Sequence, residues 1–139
     1  MTNAQPATFV DCRPIAQPLR ARPAPSPLPL WRLRLATGYI DAHLADVIRL
    51  EDIARAVGLT RMHFAAQFRA ATGVRPHDYL QHRRIERAKL LLAQTETTIV
   101  DIALAVGFQS QAHFSTVFKQ RVGDSPSIWR RHTRDGLHD

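Results

Sequence analysis

The sequence DIALAVGFQSQAHFSTVF, at residues 101–118, repeats an earlier stretch of the same chain. That stretch, DIARAVGLTRMHFAAQF at residues 52–68, aligns with it at an offset of 49 residues through the first shared glycine and at 50 after one inserted residue. The offset of 50 continues to the next glycine of each copy, Gly73 and Gly123. The chain therefore contains one structural unit twice.

Each copy is predicted to form a short helix, a glycine turn and a second helix. In the downstream copy Ile102 and Val106 lie four residues apart, which is typical of a helix with one buried face. Gly107 can then adopt the left-handed conformation that ends a helix, and Phe114 and Phe118 restart the apolar period. Two such helices are typical of a helix-turn-helix, whose second helix can enter a major groove. One such pattern is more often ordinary helical packing, whereas two copies in a basic chain favour DNA binding.

Composition limits the classes of function. The chain has 139 residues and a net charge of +7, with a pI of about 11.0, which favours an anionic partner such as nucleic acid or a membrane surface. No apolar run of about 18 residues is present, so we expect no membrane span. A single cysteine, Cys12, excludes a disulfide framework and a multi-cysteine zinc site. The first residues lack the pattern of a secretory signal, which predicts a cytoplasmic protein.

The N-terminal part differs in composition from the repeat. Residues 1–29 contain seven of the nine prolines and are predicted to form a disordered or extended arm, since they cannot bury enough surface to offset their ordering entropy. Residues 30–44 are predicted to form a helix that covers the core of the first unit. The positions expected to be buried in this helix are Trp31, Leu35, Ile40 and Leu44.

We expect residues 30–139 to form one all-α domain of about seven helices. Its predicted parts are a first helix-turn-helix at about 50–73, a linker helix at about 76–94, a second helix-turn-helix at about 98–123 and a C-terminal helix at about 126–131. Thr60 and Thr98 are predicted helix N-caps. The linker helix would span roughly 28 Å, and successive major-groove segments on one face of B-DNA lie about 34 Å apart. A rod of this length suits two DNA-reading helices on one face of a duplex.

The segments DIALAVGFQSQAHFSTVFKQRVGDSPSIWRR and YLQHRRIERAKLLL resemble the second helix-turn-helix and the linker helix of the AraC/XylS family of bacterial transcription regulators. The resemblance covers roughly residues 30–131. It implies an all-α DNA-binding domain whose two recognition helices enter adjacent major grooves. Most members carry an effector-binding or oligomerisation domain before this one, and no small-molecule effector domain is evident here. The chain therefore resembles the stand-alone members, which regulate through their abundance, or a shortened relative of a larger protein.

The resemblance also implies where bases are contacted. The groove-facing positions are Met62, Ala65 and Ala66 in the first recognition helix and Gln111, Ala112, Ser115 and Thr116 in the second. Alanine can touch a thymine methyl but makes no bidentate hydrogen bonds, so Gln111 is the strongest candidate for direct readout, by a contact to adenine. We expect the first unit to contribute mostly phosphate contacts and shape reading. The candidate phosphate contacts are Arg61, Arg69, Arg83, Arg84, Lys119, Arg130 and Arg131, each equally compatible with a solvated helix face.

The sequence thus predicts a double-stranded DNA-binding transcription regulator of an asymmetric site, an activator rather than a repressor by resemblance, with RNA polymerase as a partner. The alternative is a basic helical RNA-binding or protein-interaction module, which would expose aromatic residues for base stacking. An enzyme is not favoured, because Cys12 lies in the predicted arm, where nothing would hold a histidine in reach. We expect no cofactor and no metal, since His63 and His113 lack further ligands at suitable spacing.

Overall fold

The computed structural model describes residues 24–138, so most of the predicted arm, residues 1–23, lies outside the described part of the chain. Residues 24–138 form seven α-helices and no strand, which confirms the all-α class and the double helix-turn-helix. In chain order these are α1 (Leu30–Ala42), α2 (Leu50–Ala56), α3 (Arg61–Thr72), α4 (Pro76–Gln94), α5 (Ile99–Ala105), α6 (Gln111–Val122) and α7 (Pro126–His138). The first unit is α2 with α3, and the second unit is α5 with α6.

Each unit packs around its own pair of phenylalanines, and the linker helix α4 takes part in both cores. Phe64 and Phe68 lie in a cluster with α1, α2 and the beginning of α4, where Leu80 is buried. Phe114 and Phe118 lie in a second cluster with α5 and the rest of α4, whose Leu92 is fully buried. One rigid helix therefore joins the two cores, which fixes the units relative to each other.

The second helix of each unit begins and ends in the same way. The hydroxyl of Thr60 accepts a hydrogen bond from the backbone N–H of His63 at 3.3 Å, and Ser110 does the same for the N–H of His113 at 3.1 Å. These contacts satisfy amides that have no partner within the helix. A glycine in the left-handed conformation then ends α3 and α6. Despite the inserted residue, α3 and α6 are both twelve residues long.

Three predictions about the ends of the domain were wrong. Helix α1 ends at Ala42, and its buried face contains Ala36 and Ile40, whereas Trp31 and Leu35 are 58% and 50% exposed. The small side chain of Ala36 lets the helix approach the core closely, but it gives little apolar signal in a sequence. Leu28, assigned to the arm, is buried and donates its N–H to the carbonyl of Gln67.

Helix α7 is the third difference, because it continues to His138 rather than ending near residue 131. The guanidinium group of Arg134 lies 2.6 Å from the carboxylate of Glu96 and also contacts the backbone carbonyls of Leu92 and Thr95. These long-range contacts hold the extra turns of α7 against the end of α4. Such contacts join residues that are far apart in sequence, so helical periodicity does not reveal them.

Candidate nucleic-acid interface

The second helices of the two units, α3 and α6, direct their phenylalanines inward, which leaves the opposite face of each helix at the surface. Met62 is 77% exposed, and the other predicted base-reading residues lie at least partly at the surface. Those on α3 are Ala65 and Ala66, and those on α6 are Gln111, Ala112, Ser115 and Thr116. The structure therefore places all seven on two helix faces that are open to a ligand.

The two faces differ in chemistry at equivalent positions. Where α3 has Ala65 and Ala66, α6 has Ser115 and Thr116, and the exposed pair at 70 and 120 is alanine in α3 and glutamine in α6. Sequence reasoning missed this last pair, although the offset of 50 residues indicates it. The hydroxyl of Thr116 donates to the carbonyl of Ala112 at 3.0 Å, so it is left to act as an acceptor. Helix α6 thus offers several hydrogen-bonding groups, and the middle of α3 offers methyl groups.

A cavity of about 540 Å³ lies beside α3, between this helix, α2 and the beginning of α4. Most of its wall is apolar, and Met62, Ala65 and Ala66 contribute to it. Positively charged or titratable side chains also line it: Arg69, Arg75 and His77, all three of them exposed. The outward face of α3 therefore combines an apolar recess with cationic groups.

The candidate phosphate contacts fall into two groups, of which the first is available at the surface. Arg69, Lys119 and Arg131 are exposed. Arg61 is 59% exposed and lies 4.0 Å from Glu51, a solvated pair that holds the guanidinium group only weakly. These four cations can turn toward a polyanion at little cost.

In the second group, the guanidinium groups bond within the protein. Arg84 donates from Nε and Nη2 to the carbonyls of Leu44 and Asp46, at 3.1 and 2.9 Å. Arg130 donates to the carbonyls of Leu92, at 3.0 Å, and Thr97, at 2.7 Å. Burial lowers the pKa of both guanidinium groups from the ordinary arginine value. These arginines hold backbone segments in place, a role that their position in the sequence does not indicate.

Arg83 is intermediate between the two groups. Its Nε lies 2.9 Å from a carboxylate oxygen of Asp41 on α1, and this hydrogen bond raises the pKa of the guanidinium group. The pair is only partly exposed, and it links α4 to α1. A phosphate contact by Arg83 would have to compete with this carboxylate.

The junction between the units depends on a close approach at Gly107, which begins the turn between α5 and α6. This residue has a φ of +101°, and a Cβ added there would overlap the carbonyl oxygen of Leu44 and lie 2.7 Å from Nε of Arg84. The loop after α1 therefore touches the second unit directly, at a point that only glycine fits. Arg84 donates hydrogen bonds to the same loop. The linker helix α4, the loop after α1 and the second unit therefore meet at one place.

Among the described residues there is neither a metal-binding cluster nor a helix that could span a membrane. Residues 24–138 contain no cluster of three or more histidine, cysteine, aspartate or glutamate side chains that fits a metal ion. His63 and His113 are exposed, and the ring of His113 packs edge-on against Phe108 at 5.3 Å. None of the described helices is long and apolar enough to cross a membrane.

Known proteins share this arrangement. RhaS of Escherichia coli, an HTH-type transcriptional activator, is 34% identical over 106 residues, which are 76% of this chain and 38% of RhaS. A crystal structure of an AraC-type transcriptional regulator from Chromobacterium violaceum matches with a TM-score of 0.70 at 32% identity, over 73% of this chain and 91% of that one. The DNA-binding domain of AdpA, a global transcriptional factor crystallised with a target DNA, matches with a TM-score of 0.71 at 26% identity. The match covers 75% of this chain and 94% of the AdpA domain.

These matches concern a limited part of the longer relatives, because the chain spans under two fifths of the length of the curated relatives it matches. Residues 53–132 also match a family profile described as a helix-turn-helix domain. This range runs from α2 into α7 and so contains both units and the linker helix. With its repeat, its fold and these relatives, the chain belongs to the AraC family of helix-turn-helix transcriptional regulators.

Proposed function

We propose that this regulator binds one asymmetric double-stranded DNA site, with α3 and α6 in adjacent major-groove segments. The observation that carries the proposal is the pair of outward helix faces, built alike on one rigid linker helix but bearing different side chains. The complex of the similar AdpA domain with its target DNA supports DNA as the ligand. Because the two faces differ, one chain reads two unequal half-sites without a palindrome.

We assign a base contact or a phosphate contact to each exposed candidate residue. Gln111 contacts adenine through its amide, which offers both a donor and an acceptor. Ser115 and Thr116 contact neighbouring bases or sugars, while Met62, Ala65, Ala66 and Ala112 contact apolar base edges. Of the seven candidate phosphate contacts, we retain Arg61, Arg69, Lys119 and Arg131, since Arg84 and Arg130 are engaged with backbone carbonyls and Arg83 with Asp41.

The bound regulator activates transcription by presenting a surface to RNA polymerase. The name of the similar RhaS, a transcriptional activator, supports this direction of regulation. Stacking of RNA bases is less favoured, because Phe64, Phe68, Phe114 and Phe118 are fully buried. Among the phenylalanine, tyrosine and tryptophan side chains of residues 24–138, Trp31 is the exposed one, and one ring does not make a platform for successive bases.

Selection of binding sites from random double-stranded DNA, at near-physiological salt, tests the proposal. We expect one asymmetric motif with two informative blocks about one helical turn apart. A parallel selection from single-stranded RNA serves as the control. Salt-sensitive binding without any enriched DNA motif, or an equally strong motif in RNA, would contradict the proposal.

A single substitution tests the readout by Gln111. Gln111→Ala should weaken binding to the selected site by about 1 to 3 kcal/mol, because a bidentate contact to adenine is lost, and it should change binding to random DNA little. Fluorescence anisotropy titrations on both DNAs measure the difference. Gln94→Ala, at the exposed end of α4, is the matched control. Equal weakening on both DNAs would make Gln111 a non-specific contact.

A further inference from the structure

We infer that the first recognition helix, α3, specifies thymine through its 5-methyl group, whereas α6 specifies bases through hydrogen bonds. This inference rests on the proposed function and names what one half of the site recognises. The ligand chemistry is an A·T-rich stretch of major groove whose thymine methyls face α3.

The face of α3 that is open to solvent carries a continuous apolar patch. Met62 is 77% exposed, and Ala65 and Ala66 continue its surface along one side of the helix. Behind them lies the cavity of about 540 Å³, whose deeper wall includes Ile53 and Leu80. In the major groove the thymine methyl is the apolar group that distinguishes one base pair from the others. A methyl group is therefore the base feature that this surface matches.

The charges around the recess favour DNA over an apolar peptide as its occupant. Arg69 lies on the same face of α3, and Arg75 and His77 line the cavity from the beginning of α4. The backbone N–H groups of the first turn of α4 add a positive end to this rim. Phosphates border a major groove on both sides, so a cationic rim around an apolar centre complements a thymine-bearing groove.

The contrast with α6 makes the assignment specific to one helix. At the three equivalent pairs described above, α6 replaces alanine with serine, threonine and glutamine, all of which form hydrogen bonds. An alanine methyl is a van der Waals partner for a thymine methyl, but it offers nothing to a cytosine amino group or a guanine oxygen. The two halves of the site should therefore differ in how they are read.

Deoxyuridine, which differs from thymidine only in lacking the 5-methyl group, tests the inference directly. The selection is first repeated with Gln111→Ala to assign the two blocks of the motif. The block whose base preferences change is assigned to α6, and the other block is assigned to α3. Thymines in the α3 block are then replaced singly by deoxyuridine, and the dissociation constant is measured by anisotropy. We expect roughly fourfold weaker binding per contacted methyl, the effect of leaving about one methyl group unburied. The same replacement in flanking DNA is the control.

Met62→Ala completes the test as a double-substitution cycle with deoxyuridine. The second unit already has alanine at the equivalent position, Ala112, and Met62 is exposed, so we expect this variant to fold, with circular dichroism as the check. In the variant, replacing the thymine that Met62 contacts by deoxyuridine should weaken binding less than twofold. A two-block motif without thymine in the α3 block, or with no deoxyuridine effect there, would overturn the inference and leave the proposed function standing. Absence of any motif would overturn both.

Discussion

Gly58 and Gly107 occupy equivalent positions in the two units, and both adopt a left-handed backbone conformation, with φ of +77° and +101°. Their surroundings differ. A Cβ added at Gly58 would come no nearer than 4.0 Å to a side-chain nitrogen of Arg32, whereas at Gly107 it would overlap the carbonyl oxygen of Leu44. The same residue type therefore makes a turn in the first unit, and both a turn and a contact between units in the second.

These two glycines provide a paired prediction about stability. Gly58→Ala should lower the free energy of unfolding by about 1 to 2 kcal/mol, the cost of the left-handed conformation for a residue with a Cβ. Gly107→Ala should lower it by about 2 to 5 kcal/mol, because overlap with Leu44 adds to that strain. Urea denaturation followed by circular dichroism measures both. Equal losses would mean that the loop after α1 moves away from Gly107 without cost.

At the scale of elements, Arg84 connects the linker helix to the loop between α1 and α2. Its two hydrogen bonds satisfy the carbonyls of Leu44 and Asp46, and the same loop lies against Gly107. The distance and angle between α3 and α6 therefore depend on side-chain contacts as well as on the length of α4. We propose that Arg84 is a positioning residue, because its guanidinium group bonds two backbone carbonyls of the protein.

Arg84→Met should change how strictly the two half-sites are spaced. We expect a lower free energy of unfolding, by about 2 to 3 kcal/mol, since carbonyls lose a charged donor. Binding to a site lengthened by one base pair should be penalised less than in the wild type, because the units are held less firmly. Arg87→Met, at an exposed position of the same helix, is the control. An unchanged spacing penalty in a folded Arg84→Met protein would contradict the positioning role.

The helices of the repeat could be predicted from sequence because glycines, caps and paired phenylalanines mark them locally. The buried face of α1 could not, since Trp31 and Leu35 give a stronger apolar signal than Ala36, which is the residue that packs. The exposed positions of the candidate site were also predictable, because they lie opposite the phenylalanines. Sequence could not separate Arg84 and Arg130 from surface arginines, because the carbonyls that they bind lie 33 to 40 residues away in the chain.

For the whole molecule, charge should govern how affinity depends on salt. If Arg61, Arg69, Lys119 and Arg131 each neutralise one phosphate, the logarithm of the association constant should fall with the logarithm of salt with a slope of about −3.6, and a phosphate contact by Arg75 on the rim of the cavity would add about −0.9. Arg69→Ala should reduce the magnitude of this slope by about 0.9. Arg83→Gln, which removes a guanidinium group paired with Asp41, should leave it unchanged. Titrations at several salt concentrations measure the slope. An affinity that does not change with salt would contradict the assignment of these residues as phosphate contacts.

The two units follow each other along one chain and carry different outward faces, so no two-fold axis relates them. In the proposed complex with DNA, the first unit lies toward one end of the site and α7 toward the other, so the bound protein has a direction. Turning a binding site end for end leaves its affinity intact but makes the bound protein face the opposite way along the chromosome. A promoter controlled by this regulator should therefore respond to the orientation of its site as well as to its sequence and position.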